Sequence, residues 1–179
     1  MNRMTPLYLS SLRQVDWQWP EDFTYPSDNA QSWLLEQGSL SRLMAQRCQQ
    51  LSITQHDNQW LEPAQLDFTE VAWLTAETCL LRQVILAGDT RPWVFGRTLI
   101  PQSSLQGQPD DLTQQGPIPL GLTVFNSDHV RRDGLQVGWA MTSDGPLLAR
   151  RSRLWMNHKP MLVAELFLPD CPIYAKESV

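Results

Sequence analysis

Met161-Leu162-Val163-Ala164-Glu165-Leu166-Phe167-Leu168-Pro169 is an apolar run near the C-terminal end of the sequence, broken by a single carboxylate. Read as a strand, it puts Met161, Val163, Glu165 and Phe167 on one face and Leu162, Ala164, Leu166 and Leu168 on the other. Neither face offers Glu165 an obvious place in water. A carboxylate among apolar side chains must gain a cation or hydrogen-bond donors, or keep its proton, because an unpaired buried charge is very costly. Glu165 is therefore a candidate acid or base. The alternative is an edge strand on which Glu165 is solvated or salt-bridged.

Upstream of this run, strands are expected at Leu147 to Met156, joined to it through Asn157-His158-Lys159, and at Leu122 to Phe125 and Leu135 to Ala140. Further upstream, Thr78 to Leu86 and Trp93 to Ile100 read as a hairpin around Gly88-Asp89-Thr90-Arg91-Pro92. Arg82 shares a face with Leu80, Val84 and Leu86, and Arg97 shares one with Trp93, Phe95 and Leu99. Two arginines thus sit inside apolar strands. In Arg150-Arg151-Ser152-Arg153, Arg151 and Arg153 face one side with Trp155 and Arg150 the other; this group reads as a solvated face, and Arg131 and Arg132 as loop or surface charges.

Helical signals precede the strands. Ser27 or Asp28 is placed to cap a short helix through Trp33, Leu34 and Leu35, with Gly38 as its stop. Ser39 then starts a second helix in which Leu40, Leu43, Met44, Cys48 and Leu51 recur at helical spacing. That stripe is a core face by default; two helices joined at a glycine also suit a lid. Residues 1–26 read as an irregular arm with a strand around Gln14 to Trp19. Residues 107–116 are a polar break, Pro117-Ile118-Pro119-Leu120-Gly121 a loop able to contact substrate, and 175–179 a frayed tail. Consecutive strands with short turns predict an α+β fold, one antiparallel sheet flanked by helices, as a single domain over 1–179.

Composition narrows the function classes. The 179 residues are 42% hydrophobic and 18% charged, with eight tryptophans, a globular balance with enough chain for a core. A net charge of −5 without a basic block excludes the electrostatic footprint of a nucleic-acid binder. Cys48, Cys79 and Cys171 are odd in number and widely spaced, so reduced thiols are expected rather than disulfides or a zinc site. No signal-peptide pattern and no run long enough to span a bilayer occurs, which predicts a cytoplasmic protein without membrane insertion. GxSxG, P-loop, GxGxxG and HExxH patterns are missing, and His56, His129 and His158 lack ligand spacing, so no metal or cofactor is implied. What remains is Glu165 with Arg82 and Arg97. A guanidinium stays charged when buried and its fork matches a carboxylate, so an anionic ligand is the natural partner.

The blocks Leu81-Arg82-Gln83-Val84-Ile85-Leu86, Pro92-Trp93-Val94-Phe95-Gly96-Arg97-Thr98-Leu99-Ile100-Pro101, Pro119-Leu120-Gly121, Arg150-Arg151-Ser152-Arg153-Leu154 and Lys159 to Pro169, in this order and spacing, resemble chorismate pyruvate-lyase over most of residues 76–174. The resemblance implies a cofactor-independent lyase that removes pyruvate from chorismate to leave 4-hydroxybenzoate for ubiquinone biosynthesis. It also implies an antiparallel sheet with an internal site under helical flaps. Within the resemblance, Arg82 looks like the arginine that holds the ring carboxylate and Glu165 like the acid at the other end of the ring. Leu120 looks like the loop residue whose backbone NH helps bind that carboxylate, and Leu40 stands where the family often has methionine. Chorismate carries two negative charges, so Arg97 is assigned to the enolpyruvyl side or to support of Glu165. A monomer is expected, with chorismate, 4-hydroxybenzoate and pyruvate as its only partners. The competing reading is a non-catalytic binding module for aromatic carboxylates with the same fold, as in effector domains of transcription regulators; a third is a relative whose charged residues form only a structural network.

Overall fold

Two three-stranded antiparallel units meet side by side in one sheet. In the computed structural model, which describes residues 5–105, 130–156 and 158–176, the strands are β1 (Leu51–Leu61), β2 (Cys79–Gly88), β3 (Arg91–Pro101), β4 (Val130–Thr142), β5 (Gly145–Met156) and β6 (Lys159–Phe167). Their order across the sheet is β1-β2-β3-β6-β5-β4, and every neighbouring pair is antiparallel. The strand that carries Glu165, β6, therefore lies at the centre beside β3. This explains its near-continuous apolar character, because helices cover the sheet on both sides.

On one face lie α2 (Asp28–Leu34) and α3 (Leu40–Ala45). Trp33, Leu34, Leu40 and Met44 pack there against Val84, Leu86, Leu148 and Phe167. Ser27 caps α2 by accepting from the Ala30 amide, and Ser39 caps α3 by accepting from the Arg42 amide. The opposite face is covered by α1 (Thr5–Arg13), where Tyr8 and Leu12 meet Ile85, Phe95 and Leu166. On that side too lies α4 (Phe68–Trp73), while α5 (Gln102–Leu105) follows β3.

Several expectations change. The arm over 1–26 contains α1, and the strand expected at Gln14 to Trp19 reduces to one bridge, Gln18 with Val137. The second helix stops at Ala45 instead of continuing to Leu51, because Leu51 starts β1 and pairs with Gly88. Pairing with the edge of β2 satisfies a whole row of backbone groups, which outweighs one further helical turn. The polar β1 was not anticipated, nor was α4, although Asp67 and Glu70 form a reciprocal capping box at its start. The 107–116 break, the Pro117–Gly121 loop, the strand at Leu122 to Phe125 and residue Leu120 lie outside the described residues.

Gly134 shows how tightly α4 is seated. Its φ is +63°, and a Cβ added there would stand 1.8 Å from the Trp73 ring. Gly134→Ala is expected to lower stability by more than about 1 kcal/mol, read as a reduced urea midpoint, because strain and overlap act together.

Candidate active site

Pairing register decides which charged side chains meet. Arg82 pairs with Thr98, Gly96 with Glu165, Thr98 with Val163, and both Glu165 with Arg150 and Val163 with Ser152. Residues opposite one another share a face, so Arg82, Thr98, Val163, Glu165, Arg150 and Ser152 all point toward α2 and α3. Arg97 falls between Gly96 and Thr98 and points the other way.

Glu165 is 6% exposed and Arg150 is fully buried. Of the routes open to a buried carboxylate, the chain takes pairing: Arg150 Nε donates to Glu165 Oε2. The same guanidinium reaches the end of α2, where Nη1 donates to the carbonyls of Trp33, Leu34 and Glu36 at 3.5, 3.3 and 2.9 Å. The last carbonyls of a helix lack intrahelical partners and carry partial negative charge, so a cation there serves two purposes. Arg150 thus ties the candidate acid to the covering helix. The reading of Arg150 as part of a solvated face is corrected: its strand neighbours Arg151 and Arg153 occupy the opposite face, and Arg150 alone of the three is interior.

A cavity of about 70 Å³ lies on this face, walled by Glu165, Arg132, Leu40, Ser41, Val84, Gly96, Thr98 and Val163 among others. Gly96 has no side chain to fill the space beside Glu165. Leu40, the first residue of α3, brings the covering helix into the wall. Arg82 stands beside the cavity, opposite Thr98 and two residues from Val84, and is 1% exposed. Burial pushes its guanidinium down to about 10, so it stays charged at neutral pH.

Arg132 is the residue that sequence reasoning missed. Rather than a surface charge, it lines the cavity with Glu165; Nη1 donates to Ser152 Oγ, Nη2 to the Gly38 carbonyl at 3.3 Å and Nε to the Gln37 carbonyl at 3.4 Å. Burial, and next the charge of Arg150, push it down to about 10 as well, with Glu165 and Glu36 acting in the opposite sense. The apolar pattern around positions 130–134 is irregular because β4 carries a bulge between Asp133 and Gln136, so strand alternation could not assign its face.

A larger cavity, about 300 Å³, lies on the other face beneath α1, lined by Trp17, Trp73, Arg97, Arg151, Asp67 and Glu70 among others. Size favours it and chemistry favours the smaller one. Arg97 is neutralised by Glu70 at 2.7 Å, and Arg151 lies in the fields of Asp67 and Glu70. Arg97 is thereby placed across the sheet from Arg82 and Glu165 and supports neither; β3 alternation, with Gly96 facing Glu165, is the reason. On the α2/α3 face the described residues put three guanidiniums, Arg82, Arg132 and Arg150, around Glu165, with Glu36 as a second carboxylate whose field reaches Arg132. That excess of positive charge suits a ligand with more than one negative group.

Among the described residues, no cluster of His, Cys, Asp and Glu fits a metal ion, and no helix is long and apolar enough to cross a membrane. The fold resembles the effector domain of PhnF from Mycobacterium smegmatis, with a TM-score of 0.53 at 12% identity, covering 74% of this chain and 90% of that one. Identity that low speaks to the fold alone. A Vibrio cholerae protein named "Probable chorismate pyruvate-lyase" is 59% identical over 179 residues, the whole of both chains. One from Photorhabdus laumondii named "Chorismate pyruvate-lyase" is 36% identical over 168 residues, 93% of this chain and 98% of that one. With the chorismate lyase family model also matching residues 11–179, around a buried carboxylate ringed by arginines, the chain belongs to the chorismate lyase family.

Proposed function

We propose that this protein eliminates pyruvate from chorismate to leave 4-hydroxybenzoate, without a cofactor, as a monomer in the cytoplasm and in service of ubiquinone biosynthesis. The observation that carries the reading is the convergence of Glu165 and Arg82 on one sheet face, beside a cavity lined by Glu165 and Arg132 and with the buried Arg150 on the same face. A dianion such as chorismate matches the excess of guanidiniums on that face, and family membership supplies the substrate.

In this mechanism Arg82 holds the ring carboxylate, with the Leu120 backbone NH as a second donor. The ether C–O bond breaks, as does the C–H bond at the adjacent ring carbon; the electrons of the C–H bond complete the aromatic ring, and the proton ends on the departing pyruvate. Atoms balance without any oxidant or reductant. Aromatisation supplies the driving force, so the protein orients the ring and manages one proton. Glu165, fixed by Arg150, hydrogen-bonds the ring hydroxyl and assists proton transfer at the adjacent carbon or the ether oxygen.

Mixing the purified protein with chorismate, in the presence of a chelator, is expected to yield equal amounts of 4-hydroxybenzoate and pyruvate. Absence of both products, with 4-hydroxybenzoate still raising the melting temperature, would replace the lyase by a binding module. Arg82→Ala is expected to weaken binding of 4-hydroxybenzoate by roughly ten- to a hundredfold, the range of a charge-assisted hydrogen bond, in a calorimetric titration. Unchanged affinity would remove Arg82 as the carboxylate anchor.

A further inference from the structure

We propose that Arg132 binds the second carboxylate of the substrate, the one on the enolpyruvyl side chain, and that it does so while touching the turn between α2 and α3. The inference rests on the lyase reading above and adds a residue to it.

Geometry supports it first. A transverse row runs across the sheet from Arg82 to Thr98, then Val163, then Ser152, each opposite the next, and the Arg132 guanidinium rests on the Ser152 hydroxyl at the far end. Three inter-strand spacings separate Arg82 from Ser152, roughly 14 Å between backbones. Two long guanidinium side chains therefore bracket the space above Thr98 and Val163, both of which line the cavity. Glu165 stands beside the row, opposite the side-chain-free Gly96. A ligand with anionic groups at two ends and a proton to be moved between them fits this layout.

Charge supports it second. Of the other guanidiniums, Arg97 lies across the sheet against Glu70, and Arg150, which does not line the cavity, is held through Nε by Glu165 and through Nη1 by the carbonyls of Trp33, Leu34 and Glu36, with its buried Nη2 left without a hydrogen-bond partner among the described residues. Arg132 is in the cavity wall itself. Burial and the neighbouring Arg150 disfavour its charged form, Glu165 and Glu36 favour it, and an incoming carboxylate would add to the favourable side. Its contacts to the Gln37 and Gly38 carbonyls, at 3.4 and 3.3 Å, are long and neutral, so a carboxylate is the stronger acceptor.

The product tests this, because 4-hydroxybenzoate keeps the ring carboxylate and lacks the enolpyruvyl one. Arg132→Gln removes the charge while keeping one amide donor near the position of Arg132 Nε, which faces the Gln37 carbonyl. In the full chain, it is expected to raise KM for chorismate roughly ten- to a hundredfold while leaving the Kd for 4-hydroxybenzoate within about twofold of wild type. Arg132→Lys, which keeps the charge without the fork, is expected to fall between the two in KM, and it decides the matter if the glutamine variant does not fold. An unchanged KM, or an equal loss of affinity for substrate and product, would overturn the inference and leave Arg132 as a structural wall. If the wild-type protein forms no product, the lyase reading fails by itself; the equilibrium affinities of the same variants for intact chorismate and for 4-hydroxybenzoate then decide Arg132 by the same comparison.

Discussion

Replacing Glu165 with glutamine is expected to lower turnover of chorismate by about 10²–10⁴-fold, the usual contribution of a positioned acid or base. The glutamine is nearly isosteric and its carbonyl still accepts from Arg150 Nε, so the cavity keeps its shape and 4-hydroxybenzoate should still bind. It carries no charge, however, and Arg150 is fully buried. Removing one member of a buried ion pair typically costs about 3–5 kcal/mol, and the retained hydrogen bond should hold the loss below that range. The expected result is a folded protein of reduced melting temperature whose kcat has collapsed and whose product affinity has not. Near-normal turnover in the folded variant would sink the assignment of Glu165.

Arg150→Met should have the largest effect on stability. It removes the cation from a buried carboxylate and also strips the donor from the Trp33, Leu34 and Glu36 carbonyls at the end of α2. About 3–5 kcal/mol is expected from the orphaned charge alone, against a total that for ordinary domains is about 5–15 kcal/mol. Equilibrium unfolding in urea reads this directly. The double variant Arg150→Met with Glu165→Leu should recover part of the loss, because two apolar side chains replace the pair without leaving a charge behind. A double variant no more stable than the sum of the two single changes would show that the ion pair is not what couples them. A loss under about 1 kcal/mol in the single variant would likewise refute the role given to Arg150.

The parts of the site that were legible in the sequence are those fixed by strand alternation. Leu80, Arg82, Val84 and Leu86 share a face, as do Met161, Val163, Glu165 and Phe167, and the structure keeps both sets together. Helix starts at Ser27 and Ser39 were legible because a side-chain oxygen ahead of an apolar periodic stretch meets a local need of the backbone. The polar strand β1 was not, since Leu51 to Leu61 earns its place by pairing with β2 rather than by an apolar face of its own. Arg132 was hidden by the bulge in β4, and α1 by its weak apolar pattern in an arm rich in proline and aromatic residues.

Strand alternation and turn spacing are enough to specify an antiparallel sheet, to put Arg82 and Glu165 on apolar strand faces, and to require a partner for a carboxylate so placed. Which partner it finds depends on how the strands are assembled. A period of two divides each strand into two sets of side chains, yet it is silent on which set of one strand joins which set of the next. Register settles that, putting Gly96 rather than Arg97 beside Glu165 and Arg150 opposite it, so that the arginine closest in expectation lies across the sheet and the one read as solvated holds the candidate acid.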